Sequence, residues 1–201
     1  MDSESIHLLN LLGEFILITH NICSFFGHRK IKITKMLRNK VYGIVEDLIT
    51  QKSVMVFLFG SKSQFDNLCL QVVSELKQKY PYIQRVAYTC KSESCILENE
   101  KKQWEQIFSK LDKKEIEIVC FDAEYEFKSK YTAGKASYVE RNQAMINQSN
   151  YCVFYYDSNY FPPQRKYSKF NISYTQPKSG TRLSYEYARQ KKKHIINVFD
   201  K

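Results

Sequence analysis

The amino-acid sequence predicts an α/β protein, a three-layer sandwich with a mostly parallel sheet and an added N-terminal helix. Two observations carry this. Short apolar runs of strand length alternate along the chain with longer stretches whose apolar residues recur three and four apart. One run, "SVMVFLFG" (53–60), is apolar almost throughout, as expected of a strand covered by helices on both faces.

The elements follow in order. Residues 1–20 place Leu8, Leu11, Leu12, Phe15 and Ile16 at helical spacing, and we read them as an amphipathic helix outside the main domain. This stretch opens with acids and has no small-residue cleavage site, so it is not read as a secretory signal. Asn10 and Glu14 interrupt it, and it is too short to span a bilayer. The domain then occupies 21–201. "NICSFFG" (21–27) is the first strand, and Met36, Leu37, Val41, Ile44, Val45 and Leu48 mark one face of a helix. A second strand (53–60) leads to the helix "QFDNLCLQVVSELKQKYP", stopped by Pro81. "QRVAYTC" is a third strand, Leu97 to Leu111 a helix, "EIEIVCFD" a fourth strand and "SYVERNQAMINQS" a helix. "NYCVFYYD", the helix "GTRLSYEYARQKK" and the strand "KHIINVF" complete the alternation. Long loops are expected at 123–137 and 157–179.

With 43% hydrophobic and 26% charged residues in 201, the composition is that of an ordinary globular chain and excludes wholesale disorder. Six cysteines include no CxxC, and Cys90 and Cys95 have no nearby histidine, so no metal site is expected. Cys23, Cys120 and Cys152 lie in apolar runs and read as buried, reduced thiols, which points to a cytoplasmic protein. No GxGxxG or Walker A motif is present, and no cofactor is expected.

In an open parallel sheet, ligands collect beyond the C-terminal ends of the strands. Four features fall there: Gly27, His28 and Arg29 after the first strand; Gly60, Ser61, Lys62, Ser63, Phe65 and Asp66 after the second; the aromatic stretch after the fifth; and Ser179, Gly180 and Thr181 before the last helix. A glycine at such a turn lets a ligand approach the backbone, and the helix N-terminus offers amide hydrogens and partial positive charge to an anion. Each glycine is equally explained as a tight turn, and Ser63 competes with Asp66 as a helix cap. The aromatics Tyr155, Tyr156, Tyr160, Phe161, Tyr167, Phe170 and Tyr174 offer faces for stacking a base, with Tyr155 and Tyr156 on opposite faces of their strand.

The segments "CSFFGHRK", "VFLFGSKSQFDNLCLQVVSELKQKYP", "VERNQAMINQSNYCVFYYD" and "SGTRLSYEYARQKKKHIINV" occur in the order seen in YpsA-like members of the SLOG superfamily. The chain resembles that group over residues 21–199. The superfamily includes the LOG cytokinin-activating hydrolases and the DprA/SMF proteins. The resemblance implies a Rossmann-like fold and a nucleotide or nucleotide-derived ligand. It assigns Gly60 and Ser61 to one ligand loop and Gly180 and Thr181 to another, and it matches Arg141, followed by Asn142, to the arginine of the LOG helix.

One departure bears on activity. LOG-like enzymes and nucleoside deoxyribosyltransferases place an acid a few residues after the threonine. Here Ser184 stands three residues after Thr181, and the nearest acid is Glu186. Two further residues along a helix turn a side chain by about 200°, so Glu186 is expected to face away from the turn. Cleaving an N-glycosidic bond needs a carboxylate, leaving Asp66, Glu140 and Asp157 as other candidates. The sequence therefore favours binding without turnover.

Charge supplies a third reading. Between residues 160 and 195, nine lysines and arginines face the single acid Glu186, a net +8 of the formal +10. A basic stretch interleaved with aromatics resembles a single-stranded nucleic-acid groove. It also suits a polyanionic small ligand, or a soluble surface. Three classes stay open: a nucleotide-binding module without turnover, an N-glycoside hydrolase or transferase, and a nucleic-acid binder. A homodimer or larger homo-oligomer is compatible with each; a membrane partner is not.

Overall fold

The computed structural model describes residues 21–60, 63–90, 121–130, 135–160, 162 and 178–200. The chain runs β1 (Asn21–Gly27), α1 (Lys35–Lys52), β2 (Val54–Phe59), α2 (Gln64–Lys79), β3 (Gln84–Cys90), β4 (Ala123–Phe127), α3 (Lys135–Gln148), β5 (Tyr151–Tyr155), α4 (Gly180–Gln190) and β6 (His194–Asn197). These strands form one sheet in the order β4-β3-β2-β1-β5-β6. Every pairing is parallel.

Strand alternation divides the core in two. Cys23, Phe25, Phe57, Phe59 and Val153 pack against α1 and α2 on one face. Ile22, Phe26, Leu58, Cys152 and Phe154 pack with Met145 and Ile146 of α3 and Ala188 of α4 on the other. The helices divide this way because the chain first winds outward from β1 to β4, then crosses back to β5. Right-handed crossovers in opposite directions put their helices on opposite faces. The order reverses between β1 and β5, where Gly27 pairs with Tyr155, and the crevice of such folds opens at that point.

Local chemistry sets the helix ends. Thr34 caps α1 by accepting the Leu37 amide at 3.1 Å, and Ser63 caps α2 by accepting the Asp66 amide at 3.0 Å. At the end of α1, Ser53 takes a left-handed conformation (φ 51°). The helix α2 ends at Lys79, with Tyr80 as its C-cap before Pro81. The cysteines Cys23, Cys69 and Cys152 are buried and free, and Cys90 is buried.

The fourth strand corrects the sequence expectation. It is the segment Ala123–Phe127, inside the stretch read as a loop. Phe121 and Asp122, the end of "EIEIVCFD", are not in a strand, and 115–120 lie outside the described residues. Asp122 instead pins the start of β4 to β3. Its amide donates to the Arg85 carbonyl at 2.9 Å, and its carboxylate accepts the Arg85 amide at 2.8 Å. The register then follows with Val86 opposite Ala123. The expected helices at 1–20 and 97–111 also lie outside the described residues. Among the described residues, no helix is long and apolar enough to cross a membrane.

Candidate functional site

The C-terminal edge is built from four turns. At the end of β1, a Cβ on Gly27 would fall 2.4 Å from Phe65 Cβ. Glycine is needed there so that Phe65, fully buried, can cross the strand end and meet Tyr155 at 5.7 Å. Phe65 is thus part of the core. The next residue, His28, is 3% exposed. Its Nε2 accepts the amide of Asp157 at 3.1 Å, and the ring of Tyr160 lies 4.0 Å from its own. Burial lowers the imidazole pKa below its ordinary value, against the opposing pull of the Asp157 carboxylate. Arg29 is exposed, and its carbonyl accepts the Gln64 amide at 3.1 Å.

Beyond β2, a Cβ on Gly60 would meet Met145 Sδ at 2.4 Å and Arg141 Nε at 3.0 Å. The glycine lets α3 lie close over the strand end. Arg141 is the largest fully buried side chain described, 1% exposed. One of its terminal nitrogens donates to Asn142 Oδ1 at 3.2 Å, and the guanidinium sits 5.2 Å from the centre of the Tyr138 ring. Asn142 Nδ2 in turn donates to Ser184 Oγ of α4 at 3.1 Å. Gly60 and α4 are therefore linked through side chains of α3.

At the start of α4, Ser179 is the cap, accepting the Arg182 amide at 3.1 Å. Thr181 is buried, while Gly180 is exposed and a Cβ there would meet nothing within 4 Å. Ser61 and Lys62 lie outside the described residues.

The candidate acids are placed differently from one another. Glu186 binds Lys178 at 2.7 Å and Arg182 at 3.0 Å on the solvent side, and its hydrogen bonds to Lys178 and Arg182 hold its carboxyl below the usual range. Glu140 accepts the Ser129 hydroxyl at 2.6 Å and the Lys130 amide at 2.9 Å, fastening the chain after β4. Asp157 accepts the Asn159 amide at 2.9 Å, an Asx-type turn. Asp66 is buried in the first turn of α2.

Buried polar residues concentrate at this edge. Among the described residues, His28 follows β1, Ser63 and Asp66 open α2, Thr89 ends β3, Ser137 and Arg141 come from α3, and Thr181 and Ser184 from α4. The remaining four, Ser24, Ser74, Arg85 and Ser149, lie elsewhere. Sequence reasoning missed Thr89 and Ser137. The available signal was their position, one at a strand's C-terminal end and the other in a helix's first turn.

The basic stretch is split. Lys178 and Arg182 sit at this edge and pair with Glu186. Arg189 and Lys191 to Lys193 close α4 at the opposite edge, with Lys191 over the Tyr187 ring and Lys193 donating to the Asn147 carbonyl at 2.8 Å. Phe161, Arg165, Lys166, Tyr167, Lys169, Phe170 and Tyr174 lie outside the described residues. Tyr155 and Tyr156 point to opposite faces: the first packs on Phe65 and Phe199, the second stacks on Tyr185 at 4.5 Å.

An all-parallel sheet whose order reverses at β1 and β5, with polar groups buried along its C-terminal edge, defines a Rossmann-like module. The model of the YspA SLOG family matches residues 21–189, and the chain belongs to that family. No curated protein matches it.

Proposed function

We propose that this protein binds a nucleotide or a nucleotide-derived small molecule at the C-terminal edge of its sheet, without turning it over. One observation carries the reading: Arg141 is buried at the end of β2, over Gly60, on an edge where buried polar groups also come from the end of β1, from β3 and from α2, α3 and α4. A planar guanidinium presents a forked set of donors suited to phosphate oxygens. Absence of turnover is supported by Ser184, which stands where an acid is needed and is held by Asn142. Glu186 and Glu140 are engaged in contacts of their own.

Asp66 favours the second reading, an N-glycoside hydrolase or transferase, because its carboxylate is buried at the same edge. Native mass spectrometry of freshly purified protein, followed by incubation with nucleoside monophosphates and chromatography, separates the two. A retained nucleotide with no free base supports binding without turnover. Free base accumulating in proportion to protein overturns it and makes Asp66 the first residue to replace. A protein that retains and binds no nucleotide overturns both.

A further inference from the structure

We propose that His28 recognises the uncharged, planar part of the ligand, a nucleobase or similar heteroaromatic ring, by donating Nδ1–H to one of its acceptor atoms. This rests on the nucleotide reading above and gives the ligand a direction, with its ring at the β1–β5 end and its anionic part toward Gly60 and Arg141.

The tautomer follows from geometry. Nε2 accepts the Asp157 amide at 3.1 Å, which takes its lone pair, so the neutral ring carries its proton on Nδ1. The shape of the imidazole turns that N–H away from the amide. Among the described residues nothing accepts from Nδ1, although the atom is buried. A buried donor without an acceptor is destabilising, and such groups persist where another molecule supplies the acceptor.

The surroundings select the chemistry. The Tyr160 ring lies tilted by 31° at 4.0 Å, Tyr156 stands 6.2 Å away, and Tyr155 presents its edge at 6.4 Å. An enclosure of rings around a neutral donor favours a flat, uncharged acceptor. A phosphate would shed its water there for one neutral hydrogen bond. Burial lowers the imidazole pKa against the opposing Asp157 carboxylate, in keeping with the same choice. The location also fits. His28 directly follows Gly27, which pairs with Tyr155 where the strand order reverses.

Two variants separate recognition from structure. In His28→Gln, the side-chain oxygen reaches the Nε2 position and still takes the Asp157 amide, but the Nδ1 donor is gone. In His28→Asn, the amide nitrogen stands near Nδ1 and keeps the donor. Calorimetric titration of both, and of the wild type, with AMP, GMP, CMP, UMP and base-free ribose 5-phosphate provides the test. The wild type is expected to bind at least one nucleotide more tightly than ribose 5-phosphate. His28→Gln should weaken that nucleotide about tenfold and leave ribose 5-phosphate unchanged, while His28→Asn stays within about threefold of the wild type. If His28→Gln keeps full nucleotide affinity, or weakens both probes equally, the assignment fails while nucleotide binding stands. A wild type that binds none of the probes removes both. Should a variant fail to fold, the imidazole nitrogen resonances of the wild type decide. A shift at Nδ1 on adding the bound nucleotide supports the contact, and an unchanged signal overturns it.

Discussion

Arg85 and Arg141 are both buried guanidiniums, 3% and 1% exposed, at opposite edges of the same sheet. Arg85, at the start of β3, meets a carboxylate. Its Nε and a terminal nitrogen each lie 3.1 Å from an oxygen of Asp122, and the other terminal nitrogen donates to Ser74 at 3.0 Å. Lys77 joins the same carboxylate at 3.2 Å. Arg141, at the C-terminal edge, has among its contacts the Asn142 amide, the Tyr138 ring and the packed surface of Gly60. The first arrangement fixes an edge strand. The second packs a guanidinium between Gly60, Asn142 and the Tyr138 ring at the C-terminal end of the sheet, which is where we place the ligand.

The comparison breaks first at Asp122. Asp122→Ala leaves Arg85 buried without its carboxylate and frees the start of β4, and we expect a loss of about 2–3 kcal/mol in urea unfolding. That is less than for a fully enclosed pair, because Asp122 is 23% exposed. Nucleotide affinity should not change. The acid limb of stability follows from the same group. Burial raises the Asp122 carboxyl, but hydrogen bonds and charge from Arg85 outweigh it and hold the group below its ordinary value. Its stabilisation is therefore complete above the unfolded value near 4 and lost as pH falls below it. Asp122→Ala should flatten that limb. A variant as stable and as acid-sensitive as the wild type would show that Arg85 does not depend on this partner.

At the other edge the same logic predicts the reverse. Arg141→Met keeps the volume and removes the charge, so stability should move by less than about 1.5 kcal/mol. Affinity for a nucleoside monophosphate should fall about tenfold, the loss of a charge-assisted hydrogen bond. Calorimetry and urea unfolding on one preparation read both quantities. Large destabilisation with unchanged affinity would make Arg141 a second Arg85.

The two edges were not equally legible in the sequence. The strands β1, β2 and β5 announced themselves because burial on both faces leaves near-continuous apolar runs. The strand β4 did not. "AEYEF" is an edge strand with four of its five residues exposed, so charge is tolerated there and the apolar pattern disappears. Arg85 and Asp122 lie 37 residues apart, and only the pairing of β3 with β4 brings them together. Arg141 stands out in the sequence only through its match to the arginine of the LOG helix; its neighbours Glu140 and Asn142 suit a solvated face, and its depth is set by Gly60 on another element. Ser63 and Ser179 were read as capping or ligand residues, and each accepts a helix amide in its own first turn. Gly27, Gly60 and Gly180 look alike in sequence but differ in space: the first makes room for Phe65, the second for Met145 and Arg141, and a Cβ on the third would meet nothing within 4 Å among the described residues.

That last difference gives the smallest and sharpest test. The backbone of Gly60 is not left-handed, so the cost of Gly60→Ala is steric. The Cβ meets the thioether of Met145, which can turn, and we expect about 1 kcal/mol of destabilisation, at the low end for overpacking. Gly180→Ala, with open space around its Cβ, should cost little and serves as the control. If Gly60 is required by α3, Gly60→Ala and Met145→Ala will be non-additive, because the new methyl enters space that the shortened side chain vacates. The double variant should then be about 1 kcal/mol more stable than the sum of the singles predicts. Additive energies with lost affinity in Gly60→Ala alone would mean that the missing β-carbon serves a ligand approaching the backbone rather than the helix above it.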